Sequence, residues 1–197
     1  QQKTTLGLNV SIMKGTNLNV EVYERNTYKT LGRGYINSAS GFTFISDNIG
    51  NMQNRGIDIT FSTIAYRSQN NDWNIRPYFN MNYNQQKVKS LHLNKEFFAN
   101  SFNNAGYKLN EELQWAMPIF KGLDKNGYAQ WYLPKENYME QQTDDSKVTY
   151  QYDPKKLMQN TNKKMFAPVN GGFGLTATYR NVSLDLAFSY SSGNMTL

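Results

Sequence analysis

The residue types that carry acid–base, nucleophilic and metal chemistry are scarce in this sequence of 197 residues. It contains no cysteine, which excludes a thiolate metal site, a cysteine nucleophile and a disulfide framework. Its only histidine, His92, excludes a histidine-rich metal site, and a catalytic triad would depend on this one residue of a loop-like stretch. We interpret His92 as a solvated loop histidine.

The carboxylates offer no better arrangement for catalysis. The pairs at 111–112 and 144–145 are adjacent in sequence, and nothing in the pattern places them across a cleft. The run DKNG at 124–127 begins like a calcium loop but lacks the later ligands and the closing glutamate, so it predicts a turn. The sequence therefore predicts neither an enzyme nor a cofactor or metal site.

Aromatic residues are better suited to binding. The sequence has 14 Tyr, 11 Phe and 3 Trp, and several of them lie between 115 and 138. Their flat faces can stack on sugars or pack against a protein lid. We predict ligand or partner contacts for four of them, with packing of the rings against one another as the alternative. The four are Trp115, Tyr128, Trp131 and Tyr132, and their aromatic neighbours are Phe120 and Tyr138.

Composition and charge exclude several classes of protein. The formal net charge is +6, but the basic residues are scattered and the densest pairs, at 155–156 and 163–164, lie in a loop-like region. We therefore predict no nucleic-acid partner. The longest apolar runs, such as MFAPV at 165–169, are far shorter than the ~20 residues of a transmembrane helix. The chain begins QQK with no targeting pattern, so we expect a processed protein or a piece of a longer one.

Six segments alternate apolar and polar residues with period 2, which is typical of strands with two unlike faces. They lie at about 4–13, 17–26, 57–66, 73–88, 172–180 and 182–191. One face of the fourth segment carries Trp73, Ile75, Pro77, Phe79, Met81 and Tyr83.

Short and long connections alternate along these segments. Hairpin turns join the first and second, the third and fourth, and the fifth and sixth, whereas loops at about 27–56 and 90–171 separate the others. Successive turns of an up-and-down sheet lie at opposite ends, so both loops lie on one side. This asymmetry is typical of bacterial outer-membrane barrels, which have short periplasmic turns and long extracellular loops.

Six strands cannot close such a barrel, which needs at least ~8. We therefore predict an all-β fold: an antiparallel up-and-down transmembrane β-barrel segment, about six strands of a larger barrel, with long extracellular loops. The remaining strands of the barrel and the membrane lipid are its expected neighbours. A soluble β-sandwich would also alternate, but it explains neither the one-sided loops nor strands of ten or more residues.

Several motifs resemble the SusC/RagA family of TonB-dependent outer-membrane transporters. Gly41-Phe42, NIG at 48–50 and NRGID at 54–58 resemble a "GF…NIG…N(K/R)GxE" run of that family, with Asp58 where the family more often has Glu. The runs 20–31, 122–133 and 167–193 resemble further family segments in the expected order, and together the matches cover most of the chain.

The resemblance implies active import of oligosaccharides or peptides across the bacterial outer membrane. It implies a barrel occluded by an N-terminal plug, capped by a SusD-like lipoprotein and opened by TonB using the proton gradient. We expect the plug, the TonB-contacting segment and the closing strand to lie outside these residues. The rival hypotheses are a passive porin or surface adhesin and, less favoured, a soluble carbohydrate-binding β-sandwich.

The polar run NIGNMQNRG at 48–56 precedes the third segment. Asn and Gly tolerate the backbone angles of tight corners, so we interpret this run as the corner that returns a loop to the barrel wall.

Overall fold

A computed structural model of the chain describes residues 1–13, 15–35, 44–70, 72–91, 97–100, 104–136 and 139–195. His92, Gly41, Phe42 and Tyr138 lie outside these ranges. The described residues form fourteen strands and no helix, in line with the predicted all-β class. In these ranges no helix has the length and apolarity that crossing a membrane requires.

The largest sheet consists of β1 (Gln2–Met13), β2 (Thr16–Tyr35), β3 (Phe44–Ser62), β4 (Tyr66–Arg67), β5 (Trp73–Leu91), β13 (Val169–Tyr179) and β14 (Val182–Ser192). It is antiparallel and follows the order β1-β2-β3-β5-β13-β14, with the short β4 beside β5. The long strands are therefore arranged in chain order. β13 pairs with β5 although further strands lie between them in sequence.

One face of this sheet is apolar and exposed. Leu6 is 77% exposed and Phe188 is 57% exposed, and both belong to long strands that pair along their whole length with one neighbour. An exposed apolar face of this extent is typical of a surface that contacts a protein partner or a membrane. One row of cross-strand neighbours is apolar in all six long strands: Val10, Leu18, Phe61, Phe79, Phe173 and Phe188.

The opposite face is polar. Asn82 donates a hydrogen bond to Asp58 on the neighbouring strand and another to the Tyr23 hydroxyl at 3.3 Å. The Tyr23 hydroxyl in turn donates to Asn84 Oδ1 at 3.3 Å. The period-2 pattern thus separates the two faces as predicted, because successive side chains of a strand point to opposite sides.

The hairpin end of the sheet carries an aromatic pair and tight turns. Trp73 and Tyr179 are cross-strand neighbours with ring centroids 4.5 Å apart. Gly15 before β2 and Arg180 before β14 have positive φ angles of 82° and 48°, as tight hairpin turns require.

Pro77 lies within β5 and is accommodated by a break in the neighbouring strand. β3 ends opposite Tyr78 and β4 begins opposite Ile75. The carbonyl of Pro77 accepts a hydrogen bond from Thr63 N at 3.2 Å, inside this break. The N–H that proline lacks would point the same way, so no regular ladder bond is lost.

β2 and β3 extend through much of the stretch 27–56 that was predicted to be a loop. The run 48–56 lies inside β3, so its interpretation as a corner was wrong. The reason is a set of bulges: the register shifts between Thr27 and Thr30 and again between Asn51 and Met52. A bulge breaks the period-2 pattern while hydrogen bonding continues beyond it. Gly50 of β3 has φ 150° and lies close to the backbone of Ser90 on β5. A Cβ at position 50 would overlap the carbonyl oxygen of Ser90, so this close approach requires glycine.

The stretch 90–171, also predicted to be a loop, contains two further antiparallel sheets, and we call residues 97–164 the lobe. Its strands have two to six residues and no alternating pattern, which is why period analysis did not find them. These strands are β6 (Phe97–Asn100), β7 (Ala105–Lys108), β8 (Gln114–Met117), β9 (Phe120–Leu123), β10 (Ala129–Tyr132), β11 (Val148–Thr149) and β12 (Gln159–Lys164). One sheet has the order β12-β8-β7-β6 and the other β11-β10-β9.

The lobe is fixed to the large sheet by the buried core. Val88 N donates to Glu111 O at 3.0 Å, and Asn110 N donates to Val88 O at 2.8 Å. β13 pairs with β5 only as far as Tyr83, so residues 109–112 are the neighbours of β5 at Lys87 and Val88. The hydrophobic cluster at this junction comprises Met52, Val88, Leu91, Ala105, Tyr107 and Leu113.

Candidate functional site

An aromatic cluster lies on the sheet β9–β11 of the lobe. The Trp131 ring lies between Phe120, at a centroid distance of 5.1 Å, and Tyr152, at 4.6 Å. Phe120 is 50% exposed and Tyr152 55% exposed, so the cluster presents ring surface to its surroundings. We use the name aromatic cluster for Phe120, Trp131 and Tyr152.

The next residue of β10, Tyr132, makes a polar contact instead. Its hydroxyl donates to Asp145 Oδ1 at 2.7 Å, and Lys121 Nζ lies 3.4 Å from the same oxygen. The donation from Tyr132 and the charge of Lys121 lower the pKa of Asp145. Conversely, the hydrogen bond to Asp145 raises the pKa of the Tyr132 hydroxyl, because it stabilises the protonated phenol.

Tyr128 lies at the end of a tight turn before β10. Asp124 O accepts from Gly127 N at 3.0 Å, and Asp124 Oδ1 accepts from Asn126 N and Tyr128 N at 2.9 and 2.8 Å. The DKNG run is therefore a turn, as the sequence predicted. Tyr128 itself is 64% exposed.

Trp115 belongs to the other sheet of the lobe. Its Nε1 donates to Met195 O at 2.7 Å, just beyond β14. This hydrogen bond connects β8 to the end of the large sheet. Of the four predicted contact residues, Trp131 and Tyr132 are thus adjacent on β10, Tyr128 is near them along the chain, and Trp115 lies on a different sheet.

Sequence reasoning overlooked two tyrosines that belong to this surface. Tyr152 completes the aromatic cluster, and the Tyr150 hydroxyl accepts from Gln130 Nε2 at 3.0 Å. The run YQY at 150–152 was the available signal, but it lies about 20 residues after β10 and only the fold brings it there.

The adjacent carboxylates have separate partners. Glu111 pairs with Lys108 at 2.8 Å and Glu112 with Lys164 at 2.9 Å, while Asp144 accepts hydrogen bonds from Ser146. In the described ranges no group of three or more His, Cys, Asp or Glu residues could hold a metal ion. Each carboxylate therefore has a structural contact.

A second candidate site is a recess of about 340 Å³ on the polar face of the large sheet. It lies where β13 begins and β14 ends, beside β5, with Met165 and Phe166 forming its apolar part. We call it the amide recess, since none of its described lining residues is charged and most are amides. Its polar lining consists of Asn82, Asn84, Gln86, Asn170, Ser191 and Asn194.

Hydrogen bonds within the protein hold several amides of the recess, while other polar atoms of the same residues remain free. Asn170 donates to Ala167 O and accepts from Ser191, both at 2.9 Å, while Asn82 is bound to Asp58 and Tyr23. Asn84 Nδ2 and Gln86 Oε1 make no hydrogen bond to another described residue. These groups are available to a ligand. Sequence reasoning placed the amides of β5 on a polar face but did not identify them as a site.

The large sheet and the lobe together match solved transporter structures. The chain matches the RagAB peptide transporter with a TM-score of 0.72 and 27% identity over 98% of this chain. It has the fold of a β-barrel transporter segment. The RagAB peptide importer matches in its "closed-closed" state with a TM-score of 0.72 and 27% identity, and in its "open-open" state with 0.69 and 25%, each over 98% of this chain.

The chain spans about a fifth of the chains it matches, with 20%, 21% and 20% of their lengths covered. The resemblance to SusC/RagA proteins is thus supported for the fold. No family model and no curated protein matches the sequence. The matched structures are transporters and not enzymes.

Proposed function

We propose that these residues form part of the wall and an external lobe of a TonB-dependent transporter in the bacterial outer membrane. The transporter imports peptides or oligosaccharides together with a SusD-like lipoprotein. One observation carries the proposal. A sheet of six long strands and the short β4 has an exposed apolar face and is joined to the lobe at its end, and the two together match a peptide transporter over 98% of the chain.

The dimensions of the apolar face support a membrane location. Ten residue steps of ~3.3 Å separate Trp73 from Tyr83, which gives about 23 Å of depth at a tilt of 45°, close to the ~25 Å band of outer-membrane barrels. On the same face of β2, the apolar side chain of Val22 is followed two residues later by Glu24. Glu24 forms an ion pair with Arg55 of β3 at 2.8 Å. An ion pair at this position suits the boundary between lipid and headgroups.

The two faces then have distinct roles. The apolar face contacts lipid, and the polar face lines the lumen with its hydrogen-bonded tyrosine and amide side chains. Neighbouring strands of the barrel pair with the free edges of β1 and β14, because a lipid-exposed edge would leave backbone groups unsatisfied.

The lobe lies on the extracellular side and contacts ligand or partner. Tyr128 is exposed, as are Phe120 and Tyr152 of the aromatic cluster, while Trp131 and Tyr132 are half-buried beside them. Together these rings offer surface to a peptide, a sugar or the lipoprotein. Trp115 contributes indirectly, through its hydrogen bond to Met195 that positions the lobe.

The proposal is tested by uptake of a fluorescent peptide and a fluorescent oligosaccharide into cells that carry or lack the complete gene. We expect the protein in the outer-membrane fraction and uptake of one substrate that stops when TonB is deleted or the proton gradient is dissipated. Uptake that continues without TonB would indicate a passive porin. Recovery of the protein in the soluble fraction would contradict the proposal altogether.

A further inference from the structure

We propose that the amide recess binds the main chain of an extended peptide, with Asn84 and Gln86 as the residues that contact it. This inference rests on the proposed function, because it requires the polar face to line the lumen. It goes further by naming the ligand class and the groups that recognise it.

The spacing of the amides on β5 fits a peptide backbone. Asn82, Asn84 and Gln86 lie on one face of a strand and therefore repeat every ~6.6 Å, two residue steps of ~3.3 Å. An extended peptide presents the N–H and C=O of every second residue to one side with nearly the same repeat. A peptide lying along β5 can therefore meet one amide after another without a change of register.

The chemistry of the recess also fits a main chain. Each peptide group has one donor and one acceptor, and an amide side chain offers both. Among the free groups are a donor on Asn84, Nδ2, and an acceptor on Gln86, Oε1. The fixed partners of Asn84 and Asn82, notably the Tyr23 hydroxyl, hold these side chains in place before a ligand arrives.

The lack of charged side chains in the described lining predicts how selective the recess is. Without a cation or a carboxylate, it neither attracts nor repels a charged peptide side chain through a direct ion pair. Phe166, which is exposed, and Met165 offer an apolar wall to one side chain of the peptide. Binding should therefore depend on the main chain more than on the peptide's sequence.

The inference is tested by calorimetry on the complete transporter, with an uncharged peptide of eight residues and blocked ends as the probe. In the double variant Asn84→Leu with Gln86→Met, which keeps side-chain size close to the original, we expect the Kd for this peptide to rise about tenfold or more. The matched control is Asn80→Leu, on the same face of β5 but outside the recess lining, with a Kd within about twofold of wild type.

A second probe requires no change in the protein. We would prepare a version of the peptide that is N-methylated at every residue, because binding that does not depend on side-chain sequence would let a partly methylated peptide slide by one residue and present its intact N–H groups. This version should bind the unmodified transporter about tenfold more weakly than the parent peptide. The double variant should cost it less further affinity than it costs the parent, because only the contact from Asn84 Nδ2 to a peptide carbonyl is left to lose. Equal binding of the methylated and parent peptides would overturn the main-chain assignment.

The outcomes separate this inference from the proposed function. If the wild-type transporter neither binds nor imports any peptide, the inference fails because peptide is not the substrate. If it binds peptide and the double variant binds equally well, peptide import stands and the amide recess is not its site. If the double variant loses affinity for an oligosaccharide and not for peptide, the ligand class is wrong.

Discussion

Tyr23 on β2 reaches across β3 to Asn84 on β5, with 3.3 Å between its hydroxyl and Asn84 Oδ1. Its ring occupies the space that a Cβ on Gly56, its cross-strand neighbour on β3, would need. The missing side chain of Gly56 thus permits a contact between two strands that are not neighbours. An aromatic side chain covering a cross-strand glycine is a known device for fixing register.

We predict that Gly56→Ala is destabilising. The added methyl group would overlap the Tyr23 ring and approach the carbonyl oxygen of Tyr83, so relief requires movement of both. Overpacking of this kind lowers the free energy of unfolding by about 1–3 kcal/mol. Urea unfolding of the complete protein in lipid measures the effect.

Gly7→Ala is the matched control for that prediction. Gly7 is also paired in a strand of the same sheet, but its nearest atom would be Glu21 Cγ at an ordinary 3.5 Å. This substitution should leave the free energy of unfolding unchanged or slightly higher, because alanine restricts the unfolded chain more than glycine. Equal losses in the two variants would mean that Tyr23 does not lie over Gly56.

The hairpin-end pair Trp73 and Tyr179 predicts a measurable coupling. Their centroids are 4.5 Å apart on the apolar face, where we place the membrane boundary. A double-mutant cycle with Trp73→Leu and Tyr179→Leu should give a coupling energy of about 0.5–1.5 kcal/mol in unfolding. The control cycle pairs Trp73 with Phe188, roughly 20 Å farther along the sheet, and should give no coupling above about 0.5 kcal/mol.

The hydrogen bond between Tyr132 and Asp145 predicts a shifted tyrosine titration. It raises the pKa of Tyr132 above the ordinary value of 10.0, so its contribution to stability is present below that pH and is lost as pH rises through the folded pKa. Asp145→Asn should move the pKa of Tyr132 back toward its ordinary value, since the amide oxygen is a weaker acceptor than a carboxylate.

Tyrosinate absorbance measures that titration, with Tyr132→Phe subtracted to isolate the signal. Asp144→Asn is the control, because Asp144 accepts its hydrogen bonds from Ser146 and not from Tyr132. An identical change in both asparagine variants would indicate a general charge effect rather than this hydrogen bond.

The hydrogen bond from Trp115 Nε1 to Met195 O predicts that Trp115 stabilises the attachment of the lobe to the end of the large sheet. In Trp115→Phe the donor to Met195 O is lost while most ring surface is kept, so we expect faster amide exchange at Met195, whose N–H is bonded to Lys164 O at 3.0 Å. Hydrogen exchange with mass spectrometry detects this change. Trp131→Phe should leave exchange at Met195 unaltered, because Trp131 lies in the other sheet of the lobe.

The sequence was sufficient to predict the long strands, because one side of each must be apolar. The faces of β5, β13 and β14 were evident from alternation alone, as was the grouping of hairpins at one end. The alternating signal disappears at the bulges near Lys29 and Gly50, so the extensions of β2 and β3 were missed.

The lobe and the amide recess could not be predicted in the same way. β11 has two residues, and β10 joins it only because the intervening chain folds back, a non-local pairing without a local signature. Trp115 and Trp131 are both aromatic and close in sequence, yet they lie on different sheets. The recess depends on Asn84 and Asn170, which meet only when β13 pairs with β5.

The most direct test of the account is the environment of successive residues along β14. These 197 residues contain no cysteine, so single cysteines at 183–188 can be spin-labelled in the complete protein, with any cysteine elsewhere replaced, and reconstituted in lipid. We predict that collision with oxygen is high at Leu184, Leu186 and Phe188 and low at Ser183, Asp185 and Ala187. A polar relaxation agent should give the opposite alternation. Absence of this period of two, or equal access of the polar agent to both sets, would contradict a lipid-facing barrel wall.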